Sequence, residues 1–235
     1  MSTTLQPITL YGQHGPNPPK VSMILAELSL PHTIVNIPLS DVKSSSYTSI
    51  NPNGRLPAIH DPNTNGGLTL WESGAIVSYL VSRYDTTHKL SFPPGSNESY
   101  HAQQWLFFQA SGQGPYFGQA AWFKKFHHED IPSARERYVT EVNRVSGVLE
   151  GWLGKQKEVY GDEAVADGNG PWLVGNKCCY ADISFVSWHQ VIQAVLSKEE
   201  FDEDNFPAVK GWIGRIISRE AVKKVMEEAF KAASR

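Results

Sequence analysis

Several places in this sequence gather residue types that can do chemistry. In GPNPPKV (15–21), Asn17 stands between a strand-like run, Pro7 to Tyr11, and a helix-like run, Pro18 to Leu30. Its amide N–H, backed by the positive end of a helix, can steady an anion such as a thiolate. The plainer reading of Asn17 is a helix cap. In LWESGAIVSYL (70–80), Glu72 and Ser73 sit where strand gives way to helix. There, first-turn amides and a hydroxyl can hold a carboxylate, or merely cap the helix. Lys43 and Arg55 are the nearest basic candidates for a second carboxylate, or else solvated loop cations. Between residues 105 and 126 the chain crowds Trp105, Phe107, Phe108, Tyr116, Phe117, Trp122, Phe123 and Phe126. Such a stripe is more often bundle core than binding wall. Gly112, Gly114 and Pro115 break the pattern, however, and are expected to expose Tyr116, Phe117 and Trp122, with Phe108 and Phe126 nearby. Arg137 either reaches an anionic ligand or pairs with Glu141 one turn on.

The elements that must position these residues follow from periodicity. Ile8 and Leu10 alternate in the first strand, and Val21, Ile24, Leu25 and Leu28 recur at helical spacing in the first helix. Thr33 to Leu39 reads as a second strand, and DVKSSSYTSINPNGR as a loop with a short helix. Leu56 to Asp61 and Leu68 to Trp71 form a hairpin across DPNTNGG, and Glu72 to Tyr84 closes the unit as a helix. The order is βαβαββα.

After a linker at 91 to 97 the strand signals stop. A helix from Ser99 is expected to be interrupted at 112 to 115. Others follow at Ser133 to Lys157, Asp182 to Leu196, Ala208 to Ile217 and Ala221 to Ala232. The domains are therefore 1–88 and 97–235. GDEAVADGNGP (161–171) reads as a polar surface loop, and KEEFDEDNF (198–206) as an acidic connection that only stays solvated.

The bulk numbers exclude several functions. The chain has 235 residues, 40% hydrophobic and 19% charged, with a net charge of -3. That balance gives no electrostatic reason to expect nucleic acid or an anionic membrane as partner. No basic stretch leads into an apolar run at the start, and no apolar segment is long enough to span a bilayer. A cytoplasmic location is the expectation. The two cysteines, Cys178 and Cys179, are adjacent and suit neither an ordinary disulfide nor a zinc site, and no metal is expected.

The runs GPNPPKV, INPNGRLPAIHD, LWESGAIVSYL, WLFFQASGQGP, ERYVTEVNRVSGVLE and WLVGNKCCYADISF occur in this order along nearly the whole chain. Together they resemble the cytosolic glutathione S-transferases, most closely the fungal nitrogen-regulator-like and bacterial nu-type branch. They are also similar to transferase-like proteins of fungal secondary metabolism, the pseurotin-type trans-to-cis isomerases among them. The resemblance implies an N-terminal thioredoxin-like domain and a C-terminal all-helical domain. It implies glutathione as cosubstrate, held by Lys43, Arg55, Leu56, Pro57, Glu72, Ser73 and Arg137, with Pro57 in the cis form so that the Leu56 backbone faces a peptide. Asn17 would steady the sulfur, with Tyr11 the runner-up, and the second domain would supply Phe108, Tyr116, Phe117, Trp122 and Phe126 for a hydrophobic electrophile. It further implies a homodimer.

Where the pattern departs, so do the expectations. Gly15 replaces a threonine of the nu type and removes a second hydroxyl donor. Cys179 stands where a Ser or Thr would cap the helix before Asp182, and sulfur is a weak acceptor. Three activities remain open on sequence: conjugation to an electrophile, glutathione-dependent isomerisation of an activated alkene, and a non-catalytic glutathione-binding regulator.

Overall fold

The computed structural model describes residues 5–160 and 170–233, and the chain divides into two compact units. One runs up to Lys89 and takes in the segment from Arg219 onward; the other spans Leu90–Ser218.

The first unit is built on β1 (Ile8–Tyr11), β2 (His32–Val35), β3 (Ala58–Asp61) and β4 (Leu68–Trp71), in the order β2-β1-β3-β4. β1 is parallel to β2 and antiparallel to β3, which is antiparallel to β4. Between and after the strands come α1 (Asn17–Glu27), α2 (Ser45–Thr48) and α3 (Ser73–Tyr84), the βαβαββα order of the sequence reading. Alternation buries Ile8 and Leu10 of β1 under Val21, Ile24 and Leu25 of α1 and Ile76, Val77 and Leu80 of α3. β2 stops at Val35, short of the expected Leu39: Leu39 is 64% exposed and Pro38 has no N–H to give a ladder.

Two polar anchors hold the helices in place. Asp61, fully buried in β3, accepts from the hydroxyls of Tyr79 and Tyr84 at 2.5 Å each and from the Asn63 backbone N–H at 2.8 Å. Burial pushes its carboxyl up, but these donors win and hold it below the usual carboxylate range. In α1, buried Glu27 is gripped by Arg219 through Nε at 2.7 Å and Nη2 at 2.8 Å, and by Lys89 at 3.3 Å. Arg219 leads into the chain's last helix (Glu220–Ala233), which packs on α1. By its contacts this helix therefore groups with the sheet unit, and the local reason is the fork of Arg219 on a carboxylate of α1.

Burial raises the Glu27 carboxyl, yet Arg219 and Lys89 together hold it below the ordinary glutamate value. A depressed folded-state value means the stabilisation is present above 4.5 and is lost as pH falls through the folded-state value. Arg219→Ala is expected to cost about 2 kcal/mol, less than a fully buried broken pair because Lys89 remains. Faster hydrogen exchange along the last helix at neutral pH is the check, and an unchanged rate would reject it.

The second unit contains α4 (Asn97–Phe108), a π-helical turn (Gln109–Gln113), α5 (Gly114–Lys125), α6 (Pro132–Tyr160), α7 (Tyr180–Ser184), α8 (Val186–Val195) and α9 (Pro207–Ser218). The last helix is then α10. Ser96 caps α4, accepting from the Ser99 N–H. The glycines at 112 and 114 do not interrupt the helix as expected; it continues through the π turn. Inside that turn Gln109 donates to Gln113 at 2.9 Å, and Gln113 donates to the Phe185 carbonyl at 3.1 Å, both glutamines being buried. Pro115 falls in the first turn of α5, where its missing N–H costs least.

The expected helix from Asp182 begins two residues earlier and divides at Phe185. Asp182, fully buried, organises this region. Its Oδ1 accepts from the Leu173 N–H at 2.9 Å and the Trp212 indole N–H at 2.8 Å, while Oδ2 accepts from the Cys179 N–H at 2.8 Å. Burial outweighs these donors and raises its pKa. The capping box at Cys179 is closed despite the sulfur, because the thiol also faces the Asp182 backbone. The acidic connection at 198–206 does more than stay solvated. Phe201 is buried and stacks on Phe206 at 5.7 Å, and Glu200 accepts from Lys124 at 2.9 Å. The loop read at 161–171 lies, through residue 169, outside the described residues.

Candidate active site

Strand register sets the site. Val35, Tyr11, Ala58 and Trp71 form one row across the four strands. The chain enters β3 through Leu56–Pro57 just before this row and leaves β4 at Glu72 just after it, while α1 opens beyond Tyr11. The segments singled out in the sequence therefore meet at one end of the sheet.

Each segment is held there by identifiable contacts. The Leu56–Pro57 bond is cis, as expected. A Cβ at Gly12, which has φ +105°, would come within 2.8 Å of the Leu56 side chain, so only glycine lets the end of β1 lie against it. The Arg55 carbonyl accepts from Asn51 Nδ2 at 2.6 Å and from the Tyr47 hydroxyl at 2.8 Å, fixing the approach to Leu56 and leaving the Arg55 side chain exposed. Lys43 donates to the Asn53 carbonyl at 2.8 Å. Gly54, at φ +60°, allows this because a Cβ there would sit 2.6 Å from the Val42 carbonyl. Lys43 is thus tied to the 51–54 turn with its ammonium at the surface.

Glu72 takes φ 69°, ψ 110°, a strained backbone for a non-glycine residue, at the cap position of α3. Its side chain does not cap the helix; it accepts weakly from Asn53 Nδ2 at 3.4 Å. The simple capping reading of this pair therefore fails for Glu72. Ser73 opens α3 and accepts from Lys20 Nζ at 2.9 Å. Lys20 escaped the sequence reading, and it is 1% exposed. The signal was there in PPKVSMIL, where Pro18, Pro19, Val21 and Met23 crowd it with apolar neighbours.

Asn17 is the first residue of α1 and half-exposed; the cap position falls to Pro16, with no side-chain cap. Tyr11, the runner-up, sits partly exposed in the row itself.

The remaining candidates lie in the helical unit. Arg137 is exposed on α6, beside a shallow pocket with Ser133, Glu136, Thr140 and Glu141, and Glu141 is bonded to Arg144 at 2.7 Å. Trp122 and Phe126 pack with their rings tilted and 6.0 Å apart, 49% and 68% exposed. Tyr116 is partly exposed under the Arg144 guanidinium, and Phe108 packs edge-on to Trp105 at 5.5 Å. Phe117 is a correction: at 1% exposure it is core, because the π turn keeps the helix continuous and rotates it inward. Among the described residues no group of three His, Cys, Asp or Glu side chains is gathered for a metal ion, and no helix is long and apolar enough to cross a membrane.

Family models for the glutathione S-transferase N-terminal domain and C-terminal domain match residues 14–83 and 122–229. The chain is 58% identical to the glutathione S-transferase-like protein tpcF of Aspergillus fumigatus, over 96% of this chain and 97% of that one. The chain belongs to the glutathione S-transferase family. Among solved structures it is similar to the transferase URE2P8 of Phanerochaete chrysosporium with oxidized glutathione, at 40% identity, full coverage of both chains and a TM-score of 0.87. It is also similar to Ure2p5 of the same fungus, cocrystallized with 1-(S-glutathionyl)-2,4-dinitrobenzene, at 39% identity, 100% and 99% coverage and a TM-score of 0.83. This is a fungal Ure2-like glutathione transferase in fold and family, and the thioredoxin-like and helical architecture expected from the sequence is the observed one.

Proposed function

We propose that the glutathione transferase site of this chain is the end of the sheet at Tyr11, Leu56 and Glu72, and that Asn17 keeps the bound sulfur anionic. The observation that carries this reading is the row of register that sets Leu56–Pro57, Glu72–Ser73 and the start of α1 at one end of the sheet. In the proposed complex the Leu56 backbone pairs with the cysteinyl unit, and Glu72 and Ser73 take the γ-glutamyl end. Lys43 and Arg55 take the glycine carboxylate, with Arg137 a further cation for the tripeptide. The thiolate adds to an electrophilic carbon held by Phe108, Tyr116, Trp122 and Phe126.

Run reversibly on an activated alkene, with addition, bond rotation and elimination, the same chemistry isomerises trans to cis and consumes no glutathione. The reading includes a cytoplasmic homodimer, and a small hydrophobic product of fungal secondary metabolism as substrate. It is tested by titrating glutathione into the protein and assaying turnover on an aromatic chloride and on conjugated enones. Conjugate formation supports the transferase, and a change of alkene geometry with glutathione recovered supports the isomerase. Binding without either reaction would leave a regulatory binder, and no binding would overturn the site.

A further inference from the structure

The Lys20 ammonium is buried in α1 and donates to Ser73 Oγ at 2.9 Å, at the start of α3. An ammonium has donors and no acceptor. The Ser73 oxygen is therefore the acceptor in this bond, and the serine's own proton is directed elsewhere. The next side chain along, Glu72, is exposed and carries the opposite charge. A cation beneath a hydroxyl, with a carboxylate beside it, matches the free α-amino-acid end of a γ-glutamyl group: carboxylate to Ser73, ammonium to Glu72.

We propose that Lys20 is a positioning residue for that end of the ligand, fixing Ser73 as a donor to the α-carboxylate and placing buried positive charge behind the contact. This rests on the glutathione site proposed above. It gives the binding step a dependence on the charge of Lys20. Burial drives the Lys20 pKa down to about 7, against the pull of Glu72. Elements packed against α1 carry further charges, Glu220, Lys223, Lys224 and Glu227 of α10 among them. Glu27 is held by Arg219 and Lys89, Arg83 of α3 donates to the Asn63 carbonyl, and Glu228 of α10 borders a cavity with Pro19 and Ser22. β1 offers only Tyr11.

Protonated Lys20 is present below pH 7 and is lost above it, and a bound carboxylate favours the charged form. Ligand binding should then draw a proton onto Lys20 in mildly alkaline solution. S-methylglutathione is the suitable probe, since its sulfur cannot titrate. Calorimetry in two buffers of different ionisation enthalpy near pH 8 is expected to show more proton uptake on binding to the wild type than to Lys20→Met, whose uptake comes only from the ligand's own α-amino group. The affinity should fall about tenfold between about pH 6.5 and about pH 8.5. Lys20→Met should bind about tenfold more weakly at low pH and with no more pH dependence than the ligand's own amine confers, and Lys20→Arg should restore binding across the range. Proton uptake and pH dependence that are equal in the wild type and Lys20→Met overturn the role of Lys20 alone. No binding at any pH overturns the site reading with it.

Discussion

Asn17→Ala is expected to lower turnover about a hundredfold while leaving glutathione affinity within a few-fold, the loss typical of removing one donor to a developing or resident anion. The argument starts from position. Asn17 is the first residue of α1, where unpaired backbone N–H groups give positive potential. A free thiol titrates near ~8.5, and two units of depression, roughly 2.7 kcal/mol, leave most of it ionised at neutral pH. Without the amide the apparent sulfur pKa in the pH–rate profile should move up by about two units, so the variant recovers part of its activity in alkaline solution. A hundredfold loss that is uniform in pH would mean damage to the fold or to electrophile binding. Unchanged turnover would move the role to Tyr11, with Tyr11→Phe as the next variant.

Asp182→Ala is expected to destabilise the helical unit by about 4 kcal/mol, the largest effect anticipated for any single substitution in this chain. One fully buried carboxylate accepts three donors, from Leu173, Cys179 and Trp212, and its removal strands all three. Each buried unpaired donor costs about 1–3 kcal/mol. Asp182→Asn discriminates between charge and geometry. Its oxygen can still serve Leu173 and Trp212, but its NH2 group then faces the Cys179 N–H, so about half the loss is expected. Urea unfolding followed by tryptophan fluorescence reads both variants. A midpoint unchanged in Asp182→Ala would show that the surrounding donors find other partners.

Much of this molecule was readable from residues alone, for a physical reason. Strand alternation in PITLY, helical spacing in VSMIL, and the turn chemistry of DPNTNGG are local signals, and local signals survive without coordinates. The positions of Leu56–Pro57, Glu72–Ser73 and Asn17 follow from element boundaries, which those signals mark. What failed was long-range. Lys20 is buried because Ser73, 53 positions away, supplies its partner. The glycines at 112 and 114 read as a break because the pairing of Gln109 with Gln113, and of Gln113 with the Phe185 carbonyl 72 residues on, is invisible to composition. Phe117 was misplaced for the same reason. That the final helix packs on α1 is equally out of reach of local signals, because its anchor, Glu27, lies 192 residues upstream of Arg219.

That last pairing bears on how such a chain can be recombined. The sheet unit is discontinuous, leaving at Lys89 and returning at Arg219. A single crossover near residue 90 would hand the descendant a sheet from one parent and its covering helix from another, with the Arg219 fork and its carboxylate drawn from different lineages. Functional chimeras of this protein with its kin should therefore need two breakpoints, or else a matched pair of residues at 27 and 219.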